Sequence, residues 1–163
     1  MVIVNKKFAS QRQVLAKIAL SGDQSITGLT STSFENWFAQ VSGGEISASV
    51  EKIYRGGQLF PETLCAPAEI GDITLTDFVE SDSDDFDKKI NILRQLVGRI
   101  YFDITVNVYD CDIVTPGSGR FYSRALLVGL TEADGDASSG APAVFAMTFS
   151  ISTVAPTASP VAV

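Results

Sequence analysis

Residues 100 to 109 read IYFDITVNVY. In an extended chain Ile100, Phe102, Ile104, Val106 and Val108 share one side, and Tyr101, Asp103, Thr105, Asn107 and Tyr109 the other. A period of two built from β-branched and aromatic residues is the pattern of a half-buried strand. The residues just before it keep a different period. Phe86, Ile90, Leu93, Val97 and Ile100 recur at steps of four and three, which predicts an amphipathic helix over about 83–99. Asp82 or Ser83 can cap its start. Asp84, Asp85 and Asp87 suit the positive end of its dipole, and Arg94 and Arg99 the negative end.

Outward from this helix–strand junction the chain alternates again and again. Downstream, a loop at Thr115 to Gly119 leads into a strand over Arg120 to Leu130. The polar loop Glu132 to Gly140 leads to a last strand in which Phe145, Met147, Phe149 and Ile151 alternate with Ala146, Thr148 and Ser150. Upstream, Ile73, Leu75 and Val79 oppose Asp72, Thr74 and Thr76. Before them, Phe34 to Ile53 reads as a hairpin turning at Ser42 to Gly44. In its second strand Ile46, Ala48 and Val50 oppose Glu45, Ser47, Ser49 and Glu51. The loop from Arg55 to Ala66 carries Gly56, Gly57 and Pro61. Val14 to Leu20 fits a strand or a short helix. Five or six strands and one helix predict a mostly β fold, a β-barrel or sandwich with one flanking helix. It forms one domain over 1–154, followed by an extended or disordered tail at 155–163.

A chain of 163 residues with 45% hydrophobic content buries roughly 70% of its unfolded surface, so no disulfide or metal is required. Twelve basic and 19 acidic residues leave a net charge of −7, which provides no basic footprint for gripping nucleic acid. Cys65 and Cys111 can be buried thiols or one disulfide, with no second cysteine near either. The charge of Lys6 and Lys7 follows the short apolar run Val2 to Val4, the reverse of a secretory signal. No stretch reaches the length of a membrane span. These features predict a soluble protein folded in a cytoplasm, without membrane insertion.

The chain has no histidine, which removes the Ser–His and Cys–His nucleophile arrangements and the usual zinc sites. Gly117 and Gly119 lack the third glycine of a dinucleotide cradle and precede a strand. The run Asp82 to Asp87 has Phe86 and Asp87 where a calcium loop needs a ligand and a sharp-turn glycine, and Leu93 in place of the bidentate Glu. Glu132, Asp134 and Asp136 flank Gly135, yet Ala137 to Gly140 offer no carboxylate to complete a shell. Paired carboxylates for glycoside chemistry lack aromatic platforms, and Trp37 reads as core or interface packing. No enzyme, metal or cofactor is expected.

Four strands share a further property. Opposite their apolar sides stand Glu45, Ser47, Ser49, Glu51; then Asp72, Thr74, Thr76; Asp103, Thr105, Asn107; and Ala146, Thr148, Ser150. None of these rows contains Lys or Arg, although solvated strand faces commonly carry Lys. A pore lined by hydroxyls and carboxylates has no cations to trap phosphates through counterion release. The rows therefore predict a lumen-facing surface.

The order of elements resembles the tail tube (major tail) proteins of long-tailed bacteriophages. The resemblance rests on the segment 34–53, on APAEIGDITLTDF at 66–78, on the helix after an acidic run, and above all on RALLVGLTEADGDASSGAPAVFAMTFSIST at 124–153. It implies a structural virion protein that assembles with itself as hexameric rings stacked into a tube. The implied lumen holds a tape-measure protein and later conducts DNA, and the implied neighbours are tail terminator and baseplate or distal tail proteins. Long loops carry ring-to-ring contacts in such proteins. Here the candidates are Arg55, Phe60, Pro61 and Glu62 in one loop, and Glu132, Asp134 and Asp136 in the other. Edge strands would be completed by neighbouring subunits. Two alternatives stay open: the inner tube of a contractile injection or type VI secretion system, and a monomeric ligand-binding β-sandwich, for which only Tyr101 and Tyr109 offer an aromatic face.

Overall fold

The computed structural model describes residues 14–22, 24–29, 38–80, 84–110, 113–114, 119–133, 135 and 138–155. In chain order the first strands are β1 (Val14–Leu20), β2 (Gln40–Gly43), β3 (Ile46–Ser47) and β4 (Lys52–Ile53). β5 (Glu62–Thr63), β6 (Glu69–Ile70) and β7 (Ile73–Phe78) follow, then the helix α1 (Asp84–Leu96). After it come β8 (Tyr101–Asp110), β9 (Ile113–Val114), β10 (Arg120–Thr131), β11 (Val144–Ser150) and β12 (Thr153–Ala155). Among the described residues the fold is mostly β with one helix, as the periodicities predict.

The main sheet runs β1-β8-β10-β11-β7-β2, with β9 added to β8 and β12 to β10. Its pairings are antiparallel, so one face can pack and the other remain wet. The sheet curls until its two edges meet. There the Phe38 N–H donates to the Ala16 carbonyl at 2.9 Å, forming an isolated bridge.

Three of the four predicted apolar rows supply the core. Ile73 and Leu75, Phe102, Ile104 and Val106, and Phe145, Met147 and Phe149 are all buried, joined by Ala16 and Ile18 from β1 and Ala125 and Leu127 from β10. Each large side chain contributes about 1.5–3 kcal/mol by leaving water. α1 covers this face with Ile90 and Leu93 buried. Phe86 meets Phe145 edge-on at 5.2 Å, the geometry aromatic pairs favour. The helix stops at Gly98, whose φ of 81° suits the residue just past a helix end, and whose N–H donates to the Leu127 carbonyl at 2.7 Å.

The pairing around Gly43 differs from the predicted hairpin. β2 pairs with β7 and β3 with β6, so the strands on either side of Gly43 and Gly44 do not pair with each other. The two glycines bend a ladder that continues outward. Both have positive φ, 88° and 74°, and a Cβ on Gly43 would lie 2.0 Å from the Asp72 carbonyl oxygen. Two adjacent glycines permit either a reversal or a close approach of backbones, and here the approach is what they serve. β1 resolves the ambiguity over Val14 to Leu20 in favour of a strand. Its ladder is prolonged by a side chain: Gln24 donates to the Tyr101 carbonyl at 2.7 Å and accepts from the Tyr101 N–H at 3.1 Å. Trp37, Asp82, Ser83, Cys111, the loop at 115–118 and the tail at 156–163 lie outside the described residues, so the expectations placed on them find no test.

Candidate assembly surfaces

The face of the main sheet turned away from the core is continuous across strands. Ser42 pairs with Thr74, Thr74 with Thr148, and Thr148 with Gly129. The next row is Gln40, Thr76, Ala146 and Thr131. Thr74 and Thr148 bring their hydroxyls to 3.3 Å. Further along, Ser150 opposes Leu126, Leu126 opposes Tyr101, and Thr105 lies between Lys17 and Phe121. Seven residues expected on a lumen therefore share one face: Asp103, Thr105, Asn107, Thr74, Thr76, Thr148 and Ser150, all half-buried. Asp72 is exposed at the margin, just before β7.

Glu45, Ser47, Ser49 and Glu51 are not part of that face. They lie on an arm formed by residues 44–72, which leaves the sheet at Gly43 and returns at Ile73. Its inner rungs are the β3–β6 pair and its outer rungs the β4–β5 pair. The expected burial of Ile46, Ala48 and Val50 fails for the same reason. Alternation marks a two-sided strand, and on an arm both sides meet solvent: Ile46 is 64% exposed.

The face also has cations that reading the four rows separately misses. Lys17 comes from β1, opposite Thr105. Arg124 sits in a β-bulge where Ser123 and Arg124 together oppose Asp103. Its φ of 52° makes it the left-handed non-glycine among the described residues. The bulge takes the Arg124 N–H out of the ladder, and Asp103 Oδ1 accepts it at 3.0 Å. The guanidinium lies over the Tyr101 ring, 4.9 Å from its centroid, a cation–π contact.

The arm carries the most exposed of the large apolar side chains among the described residues. Leu59 is 91% exposed, Phe60 81% and Tyr54 69%. Gly57, at φ 86°, turns the tip, where the Gln58 N–H donates to the Arg55 carbonyl at 3.1 Å. Arg55 pairs with Glu62 across the arm at 3.1 Å, an exposed bridge of about 0–1 kcal/mol. Arg55, Phe60 and Glu62 are thus brought together at one tip, with Pro61 between the last two. Leu59 is missing from the sequence-derived set, although two large apolar residues between Gly57 and Pro61 are a signal for it. In the other predicted contact loop Glu132 is bound by Arg94 of α1, while Asp134 and Asp136 lie outside the described residues. Cys65 is a free, exposed thiol on the arm.

No cluster of three or more metal-binding side chains occurs among the described residues. Burial pushes the Asp77 carboxyl above its ordinary range. The N–H groups of Phe78 and Ala39 pull it back, and the charge of Glu80 pushes it further up.

Solved structures share this fold. The chain superposes on a protein of the anti-feeding prophage baseplate, with TM-score 0.68 and 16% identity over 92% of this chain and 95% of that one. The fold is tail-tube-like. A chain of an extracellular contractile injection system, in its extended sheath–tube complex, matches with TM-score 0.65 and 20% identity, over 93% and 92%. A chain of the anti-feeding prophage tube-terminating cap matches with TM-score 0.66 and 19% identity, over 95% and 94%. No protein-family model and no curated protein matches the sequence.

Proposed function

We propose that the chain is a structural subunit, not an enzyme, that assembles with itself into stacked rings forming a phage-like tail tube. The observation that carries this is the arm. A net-acidic chain places Leu59, Phe60 and Tyr54 in water on one projection, which a monomer has no physical reason to do. A second copy is the partner the neighbours' particles suggest. The hydroxyl face of β2, β7, β10 and β11 is then the bore lining, with Asp103, Thr105 and Asn107 continuing it on β8 and Asp72 at its rim. Glu45, Ser47, Ser49 and Glu51 belong to the arm in this reading and move from the bore to the contacts.

A hexameric ring, a tape-measure protein within the bore, passage of DNA, location in the virion tail, and contacts with terminator and baseplate proteins extend the same reading. The solved neighbours favour one variant of it, the inner tube of a contractile injection system, whose cargo is protein. In either case the lining must not hold what passes. Lys17 and Arg124 qualify this: two cations interrupt the hydroxyl rows, and Arg124 is already engaged with Tyr101. Negative-stain electron microscopy of the purified chain at rising concentration tests the reading. Rings or tubes are expected; a monodisperse monomer at millimolar concentration contradicts it.

A further inference from the structure

Two bulges fall within β10, and each turns an extra side chain out of the sheet. The first sets Ser123 and Arg124 together against Asp103. The second inserts Val128 between Leu127 and Gly129, where it is 40% exposed. Between the bulges Leu126 pairs with Tyr101 on one side and Ser150 on the other. Bulges re-aim side chains, and these two raise a cation and an aliphatic group on the hydroxyl face.

Arg124 carries the argument. A left-handed backbone at φ 52° is ordinarily the place of a glycine or an asparagine. Strain of this kind concentrates where a side chain has to be presented. The neighbouring carboxylate does not neutralise the side chain, because Asp103 Oδ1 accepts the backbone N–H of Arg124 at 3.0 Å. The guanidinium lies instead over Tyr101, 4.9 Å from the ring centroid. Among the described residues it makes no ion pair and no hydrogen bond, and Arg124 is exposed. A guanidinium placed over a ring keeps its in-plane N–H donors for a second partner. Such a fork fits a carboxylate through two parallel hydrogen bonds.

Phosphate offers similar oxygens, but the surroundings favour a polypeptide. A nucleic acid is held by a run of cations along its backbone. Here Asp103 adjoins the guanidinium, Thr105 and Asn107 follow it, and the chain is net acidic. Lys17 adds a second cation only across β8, opposite Thr105. Leu126 and Val128 on the other side suit the apolar side chains that accompany acids in a polypeptide.

We propose that Arg124, placed over Tyr101, is a carboxylate-binding station through which the bore face holds an acidic polypeptide segment. The inference rests on the assembly reading and names the class of occupant. One exposed contact per copy is weak, and repetition along a tube makes the hold avid yet reversible.

The test takes two readings on the full chain, with circular dichroism establishing that each variant is folded. On the unassembled protein a hexaglutamate peptide is titrated while arginine Nε–H and tyrosine ring resonances are followed by NMR. Arg124 and Tyr101 are expected to shift and saturate. Arg120, exposed but in the row of core-facing Val106, should stay still. The Tyr101 shift should vanish in Arg124→Gln and shrink in Arg124→Lys, which keeps the charge without the fork. On assembled tubes, Arg124→Gln should retain less of a longer labelled polyglutamate, by about fivefold or more, while Arg120→Gln retains as much as the unaltered chain. The station is overturned if Arg124 and Arg120 shift alike, if neither shifts, or if Arg124→Gln tubes retain the peptide fully. Tighter binding of a hexathymidylate at the same resonances would overturn the class of occupant. Failure of the unaltered chain to form tubes would remove the assembly reading, and the titration would still judge Arg124 by itself.

Discussion

The backbone N–H of Arg124 donates to Asp103 Oδ1 at 3.0 Å, so a carboxylate completes the ladder where the bulge interrupts it. Asp103 therefore has a local structural role that its place in an alternating row does not reveal. Arg124 takes a left-handed backbone with φ 52° and lays its guanidinium over Tyr101. The strain and the stacking act in opposite directions at one residue.

The first prediction separates them. Arg124→Gly removes a left-handed strain of about 1–2 kcal/mol and loses a cation–π contact of about 0.5–1 kcal/mol. Arg124→Ala loses the contact and keeps the strain. Urea unfolding should place the Gly variant about 1 kcal/mol above the Ala variant. Equal stability would mean that the bulge relaxes freely.

At Asp103 the prediction concerns the acceptor. Asp103→Ala takes the acceptor from the Arg124 N–H at an exposed bond and should cost about 0.5–1.5 kcal/mol, whereas Asp103→Asn keeps an acceptor and should cost less. The order of the two midpoints in a denaturant titration checks this.

Asp77 gives a pH dependence with a defined sign. Its folded-state carboxyl lies above the ordinary 3.8, chiefly through burial, so the folded chain holds this proton more tightly than the unfolded chain does. The stability it contributes is present at low pH and is lost as pH rises through 3.8 and the range just above. Asp77→Asn removes that titration and retains an acceptor for the Ala39 N–H. Thermal unfolding should find the variant gaining on the unaltered chain as pH rises from about 4 to 7, with no change in the difference below that window.

For the arm, Gly43→Ala combines a φ of 88° with a Cβ placed 2.0 Å from the Asp72 carbonyl oxygen. It should cost about 1–3 kcal/mol, or several degrees in melting temperature for a domain of this size. Gly57→Ala, also at positive φ but with nothing within 4 Å, should cost less than Gly43→Ala by that measure.

How much of this was legible follows from what alternation can encode. The period-two rows of Phe102, Ile104 and Val106 and of Phe145, Met147 and Phe149 identify strands and their buried sides, because a packed face needs one residue in two. The stripe from Phe86 to Leu93 does the same for α1. The same signal misleads at Ile46, Ala48 and Val50, because alternation is silent on whether a second layer exists to cover the apolar side. Partners across strands are also hidden. Lys17 is far from Thr105 in sequence and enters the face only through register, and the Arg124 bulge adds a residue that breaks the period. Gln24, whose amide stands in for a strand backbone at Tyr101, has no sequence signature at all. Leu59 and Phe60 were readable in kind, since large apolar residues between Gly57 and Pro61 have little prospect of burial.

The central claim is that copies of the chain stack around a bore with the hydroxyl rows facing inward. A cryo-electron microscopy map of the assembled protein tests it most directly. The account predicts Thr74, Thr76, Thr105 and Thr148 on the inner wall and Leu59 and Phe60 buried between copies. A map with those threonines on the outer surface of the particle, or with the arm tip free in solvent, would contradict it.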